Sequence, residues 1–395
     1  MSLHRRDVLF VGATGALRLI ASSPLASSPP GPERPAGSAG STGPAWTGEE
    51  TAPAGGTTLT TLWTRFRQDR ELGRVASPRI LLPTLAARTR AVRGLASASG
   101  RRRRSGLLLV GARYAEYTGW MTQEAGDLAA AEWWTSLAVR MAASAGETDM
   151  AAYAFVRRGL IALYRGDARQ TIDLARRAQS GRLPERIRGL AAQREAQGHA
   201  LAGSYRQCRD ALDRAAASFA RADAQRPDPP ALGTPALVPS TSGPSMLGPS
   251  TSGPSTSGPS TSGPSTSGPS TSGPSMLGPS TLADPVAVVT GWCLFDLARP
   301  GESADLLERE IAGLPTTARR ARARYGVRLA RAHAAAGEVD RACALTGALL
   351  DDIAAVDSAT VRVDLRLLAR TLARWRQHGP VRELSPRLAG ALRTG

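Results

Sequence analysis

A glycine followed by an acidic or small polar residue recurs along this chain, at Gly126-Asp127, Gly166-Asp167, Gly203-Ser204, Gly301-Glu302 and Gly337-Glu338. The first three glycines are 40 and 37 residues apart and the last two are 36 apart. The long gap between Gly203 and Gly301 closes to about 40 once a low-complexity stretch, residues 226–284, is set aside. A period of this size is that of a helical hairpin repeated in tandem. Small residues keep step with the glycines. Seven positions before the turn stand Gly119, Gly159, Ala196 and Ala330; five after it stand Ala131, Thr171, Cys208 and Ala342; twelve after it stand Ala138, Ala178 and Ala215, with Leu349 breaking the pattern.

Two antiparallel helices approach closely only where facing side chains are small, so these offsets mark helix crossings. The turn glycine supplies the left-handed residue that ends the first helix. The Asp, Ser or Glu after it caps the second helix or complements its dipole. The pattern therefore predicts first helices near 105–124, 148–164, 184–202, 285–298 and 315–336. Their partners are expected near 127–145, 167–180, 205–225, 301–313 and 338–356, with extra helices near 59–74, 78–98, 358–377 and 381–392 capping the ends. Trp120, Trp133, Trp134 and Trp292 fall at crossings and are expected in the core.

Composition agrees with helices and limits chemistry. All 50 basic residues other than His are Arg; the 395-residue chain has no Lys and no Asn. Phosphate-loop, Schiff-base and kinase-type lysines are thereby excluded. Both missing residues have adenine-rich codons, so the net charge of +17 reflects a guanine/cytosine-rich genome as much as a polyanionic partner. Ala, Leu and Arg dominate the body, and these lose little freedom in a helix. Cys208, Cys293 and Cys343 are odd in number and far apart, which argues against a disulfide framework or zinc site and fits a reducing compartment.

The ends and middle read differently. Residues 1–21 carry Arg5-Arg6 before an apolar stretch, like a twin-arginine export signal, but Arg18 interrupts that stretch. The expectation is a cytoplasmic protein, with export by the twin-arginine route as the alternative, and no membrane span. Residues 22–58 read as a disordered linker, followed by helical repeats over 59–225 and 285–395. Between them, residues 239–278 repeat Pro-Ser-Thr-Ser-Gly six times and Pro-Ser-Met-Leu-Gly twice, so 226–284 is expected to be a disordered spacer that cannot offset its ordering entropy. The fold class expected is thus all-α, a solenoid of helical hairpins interrupted by that spacer.

The small-residue spacing resembles the tetratricopeptide repeat. A longer run, Tyr114-Ala-Glu-Tyr-Thr-Gly-Trp-Met-Thr-Gln-Glu-Ala-Gly-Asp-Leu128 with Ala131-Glu132-Trp133-Trp134, and the stretch from Gly291-Trp292-Cys293 to Arg374-Trp375-Arg376, resemble the tetratricopeptide-like C-terminal region of actinobacterial helix-turn-helix (Xre-type) transcriptional regulators. In that family the helical region follows a DNA-binding domain and is a regulatory or protein-interaction module. Nothing before Leu59 reads as a helix-turn-helix, so DNA binding does not carry over.

Catalytic constellations are missing from the sequence. His4, His199, His333 and His378 are isolated, and neither HExxH, GxGxxG nor GxSxG occurs. No enzyme activity, cofactor or metal is expected. His199 and His333 stand four residues before their turn glycines, where they are expected to cap helix ends. Cys208 occupies a packing slot. Glu308-Arg309-Glu310 and Asp364-Leu365-Arg366 read as solvated faces with intrahelical pairs. The candidate binding residues are Tyr114, Tyr117, Tyr153 and Arg157, on first helices that would line a concave groove for a protein, peptide or small effector. Arg101, Arg102, Arg103 and Arg104, expected in a loop between helices, are candidates for contact with phosphates or an acidic partner.

Overall fold

The computed structural model describes residues 54–225, 282 and 284–393. The segment 1–21, most of the 22–58 linker and nearly all of the 226–284 spacer lie outside the described residues. Within them the chain is all-α, with no strand. The helices are α1 (Ala54–Leu72), α2 (Pro78–Ser97), α3 (Arg101–Ala125), α4 (Leu128–Ser144), α5 (Asp149–Tyr164), α6 (Ala168–Gln179), α7 (Glu185–Leu201), α8 (Tyr205–Ala224), α9 (Pro285–Asp296), α10 (Pro300–Ala312), α11 (Arg319–Ala336), α12 (Val339–Val356), α13 (Ala359–Leu372) and α14 (Gly379–Arg393). Four boundaries differ from expectation by four or five residues, among them the start of α11 at Arg319 rather than 315 and the end of α13 at Leu372 rather than 377. Helix α1 begins at Ala54, inside the expected linker, and the four arginines 101–104 form the first turn of α3 rather than a loop.

One backbone device ends the first helix of all five hairpins. At the first, Gly126 (φ 98°) donates to the Gln123 carbonyl and Asp127 to that of Thr122. The same double bond recurs at Gly166-Asp167, Gly203-Ser204 and Gly337-Glu338, each glycine having positive φ. These are Schellman closures, which favour glycine because only it takes the left-handed conformation without cost. In the fourth hairpin the expectation fails: Gly301 lies inside α10, and Ala298 (φ 61°) with Arg299 makes the turn. Asp127 and Asp167 then cap the following helices through Ala130 N (2.9 Å) and Gln170 N (2.8 Å). Ser204 and Glu338 make no such side-chain cap.

The small residues sit where helices meet. A Cβ on Gly119 would lie 3.1 Å from Trp134 Cβ and 3.2 Å from the Ala131 carbonyl oxygen. Ala131, Ala138, Ala178, Ala196, Ala215, Ala330 and Ala342 are fully buried. Leu349, the exception, is accommodated by its partner: a Cβ on Gly326 would come 2.4 Å from Leu349 Cδ1. The missing side chain of Gly326 leaves the room that Leu349 fills, so the interface stays close-packed.

First and second helices bury themselves differently. Helix α3 is buried almost all round from Leu107 to Glu124, and α7 from Ile187 to Ala200. In contrast, α6 buries only Thr171, Ala175 and Ala178. A helix buried on every side is an inner one. Beyond its hairpin partner, α5 packs on α7, α7 on α9, α9 on α11 and α11 on α13. Arg157 on α5 reaches Gln123 and Glu116 on α3, and α13 returns to pack against α3. The helix after residue 284 therefore continues directly from α7 and α8.

The Gly326–Leu349 exchange yields a coupling test. Alone, Gly326→Ala gains about 1 kcal/mol of helix propensity but meets Leu349, at a cost of about 1–3 kcal/mol. In a Leu349→Ala background the clash is gone, so Gly326→Ala is expected to stabilise by about 1 kcal/mol. Urea midpoints of the four proteins in the double-mutant cycle measure this.

Candidate functional site: an arginine and aromatic chamber

The inner helices line a cavity of about 170 Å³, partly open to solvent and larger than the 150 Å³ that admits a benzene ring in an engineered protein core. Its walls come from six helices: Arg70 on α1, Glu116, Tyr117 and Trp120 on α3, Tyr153, Val156, Arg157 and Leu160 on α5, Leu190, Gln193 and Arg194 on α7, Val289 and Trp292 on α9, and Arg320, Arg324 and Tyr325 on α11. Arg74, in the turn after α1, completes the rim.

Tyr117, Tyr153 and Arg157 are therefore brought together on one wall. Tyr117 is close-packed on the α1–α2 turn, where a Cβ on Gly73 would fall 1.9 Å from its hydroxyl. Burial raises the Tyr117 phenol and pushes that of Tyr153 up to about 12, so both remain neutral. Arg157 donates to Gln123 Oε1 at 2.9 Å and lies 3.6 Å from Glu116. Tyr114 is not on this wall. It is fully buried behind it, edge-on to Phe66 with ring centroids 5.0 Å apart.

Arg101, Arg102 and Arg104 are exposed at the start of α3, and Arg103 donates to Thr58 Oγ1 at 3.3 Å. They do not line the chamber. Trp120 packs against the core and also lines the chamber with the half-buried Trp292, whereas Trp133 is 49% exposed. The histidines pair with acids instead of capping carbonyls: His333 Nδ1 lies 2.6 Å from Glu338 and His199 Nε2 3.7 Å from Glu195. Cys208 is buried in one apolar cluster with Cys293.

Two charged clusters escaped the sequence reading. Glu124 is fully buried beside the chamber. It accepts from Arg320 Nη1 (3.0 Å), Ser358 Oγ (2.7 Å) and Thr360 Oγ1 (3.0 Å), with Arg324 3.9 Å away. Burial opposes its charge, but Arg320 and Arg324 prevail and hold the carboxyl below the usual range. Its stabilisation is thus present above the unfolded carboxylate's pKa and lost as pH falls through the lowered folded value. Arg320 also donates to the Gly73 (2.7 Å) and Ala76 (2.6 Å) carbonyls. The second cluster centres on Asp364, expected to be solvated but buried between Arg328 and Arg331, each at 2.7 Å. Arg328 stacks on Trp292, 3.1 Å from the ring centre. Glu308 likewise pairs across helices, with Arg341.

Chemically, the chamber offers guanidiniums, neutral phenols and apolar surface. Its lining has neither His nor Cys, hence no base–nucleophile pair of the common kinds. Among the described residues no group of three or more His, Cys, Asp or Glu could hold a metal ion, and no helix is long and apolar enough to cross a membrane. The chain matches no protein-family model, no curated protein and no solved structure.

Near the Trp292 end, Asp296 gives a pH prediction. Burial pushes its carboxyl up to about 6, against the pull of Arg331 and Arg328. A raised carboxyl contributes most below the unfolded pKa of about 3.9, and that contribution is lost as pH rises through about 6. Asp296→Asn is therefore expected to stabilise the protein by about 3 kcal/mol at pH 7.5 and by nothing near pH 4. Urea midpoints at the two pH values check the sign.

Proposed function

We propose that this chain is a non-enzymatic regulatory module, a tetratricopeptide-like array of helical hairpins closed on itself, that binds an effector or short peptide in the chamber lined by its first helices. The observation that carries the reading is the chamber itself. Its walls are contributed by successive inner helices, and its side chains are of the kinds that anchor ligands, Arg, Tyr and Trp. The likeness of Tyr114–Leu128 and Gly291–Arg376 to regulator sensor regions supports the same class of function. The three free, buried thiols fit action in the cytoplasm.

The mechanism is a shift of population. A ligand touching α3, α5, α7, α9 and α11 at once favours whichever packing of those helices presents its contacts best, by as much as its affinity differs between arrangements. The altered outer face would then be read by a partner.

Filling the chamber tests this. Leu190 is buried at the wall, and Leu190→Trp would extend an indole into the space. Thermal unfolding is to be followed for wild type and variant against a defined panel of metabolites and acidic octapeptides. A compound present at a hundred times its Kd is expected to raise the wild-type Tm by on the order of 5–10 °C and to leave the variant unmoved. Compounds that raise both equally would bind elsewhere and contradict the proposal.

A further inference from the structure

The chamber's charges are not balanced. Six guanidiniums line or rim it, from Arg70, Arg74, Arg157, Arg194, Arg320 and Arg324. Three carboxylates answer them, Glu71 paired with Arg74 at the rim, Glu116 on the wall and Glu124 behind it. Glu124 engages Arg320 and Arg324, and Glu116 engages Arg157. Arg194 is different. Among the described residues it makes no hydrogen bond and no ion pair, and its Nη1 is buried without a partner. Burial pushes its pKa down to about 10, and the strongest charge acting on it, Arg324, is also positive. Arg324 has its Nε buried and unpartnered too.

Arg194 is half-buried, and a guanidinium so placed without a partner is costly. Two neighbouring guanidiniums with spare donors match an oxyanion bearing more than one charge. Leu160, Leu190 and Trp292 beside them form an apolar surface suited to a ring. We infer that the chamber takes a small organic dianion, a phosphate monoester or a dicarboxylate, held at its charged head by Arg194 and Arg324 and at its ring or hydrocarbon body by Leu160, Leu190 and Trp292. This rests on the chamber being the ligand site, and adds the chemical class.

Calorimetric titration of the full chain with four probes tests it: phenyl phosphate, phthalate, inorganic phosphate and benzyl alcohol. At least one of the two ring dianions is expected to bind, and their ranking identifies the head. Inorganic phosphate is expected to bind at least tenfold more weakly than the better dianion, and benzyl alcohol not at all. Arg194→Met keeps the length of the stem and removes the charge. It is expected to lose at least tenfold in affinity for the dianion while unfolding no earlier than wild type without ligand, since the charge it removes is uncompensated. No heat from either ring dianion at millimolar concentration overturns the inference. So does an Arg194→Met protein that binds as well as wild type, or one that unfolds earlier without ligand, which would make the guanidinium structural. Benzyl alcohol binding as tightly as phenyl phosphate, with both lost in Leu190→Trp, would leave the chamber as the site but refute the charge assignment. Binding that survives Leu190→Trp would refute the chamber.

Discussion

The carboxylate of Glu124 ties the two halves of the molecule together. It sits one residue from the end of α3, yet its partners Arg320, Ser358 and Thr360 lie some two hundred residues further on. Arg320 passes the connection to the α1–α2 turn, and nearby Ser77 donates to Asp357 at 3.0 Å. A repeat array contacts only its neighbours by default. This cluster joins α3 to α11 and α13, and the inner faces of the helices line the cavity beside it. A buried carboxylate with one partner removed is strongly unfavourable.

Much of the fold was legible in the residues. The Gly-polar turns and the alanines at fixed offsets reflect local constraints: a left-handed residue to end a helix, and close backbone approach at a crossing. Those requirements act within one hairpin, so a single sequence displays them. Where a substitute satisfies the same requirement, the pattern misleads. Ala298 takes the left-handed place that the spacing assigns to Gly301, and Gly326 makes room for Leu349. The early start of α3 has a similar cause. Arg has good helix propensity, and four successive arginines look like a loop only if charge is taken to mean coil.

The chamber was only partly legible. Position on a first helix brought Tyr117, Tyr153 and Arg157 into consideration. Helical phase separates Tyr114 from Tyr117, three residues on, and only Tyr117 reaches the cavity. Trp120 and Trp292 share a Thr-Gly-Trp motif and look like core because large aromatics usually are; packing of the inner helices around a cavity brings both to its wall. Glu124 and Asp364 carry no local signal at all. Their partners lie far along the chain, and an acid among arginines reads as a solvated face until the helices are assembled.

Closure through Glu124 is the claim from which the chamber follows, and a double-mutant cycle on Glu124→Gln and Arg320→Met in urea addresses it most directly. Each single change is expected to cost about 3–5 kcal/mol by stranding a buried partner, and the pair together at least about 2 kcal/mol less than the sum. Strict additivity of the two changes would mean that the residues do not meet, and the helices would then form an open array with no enclosed site.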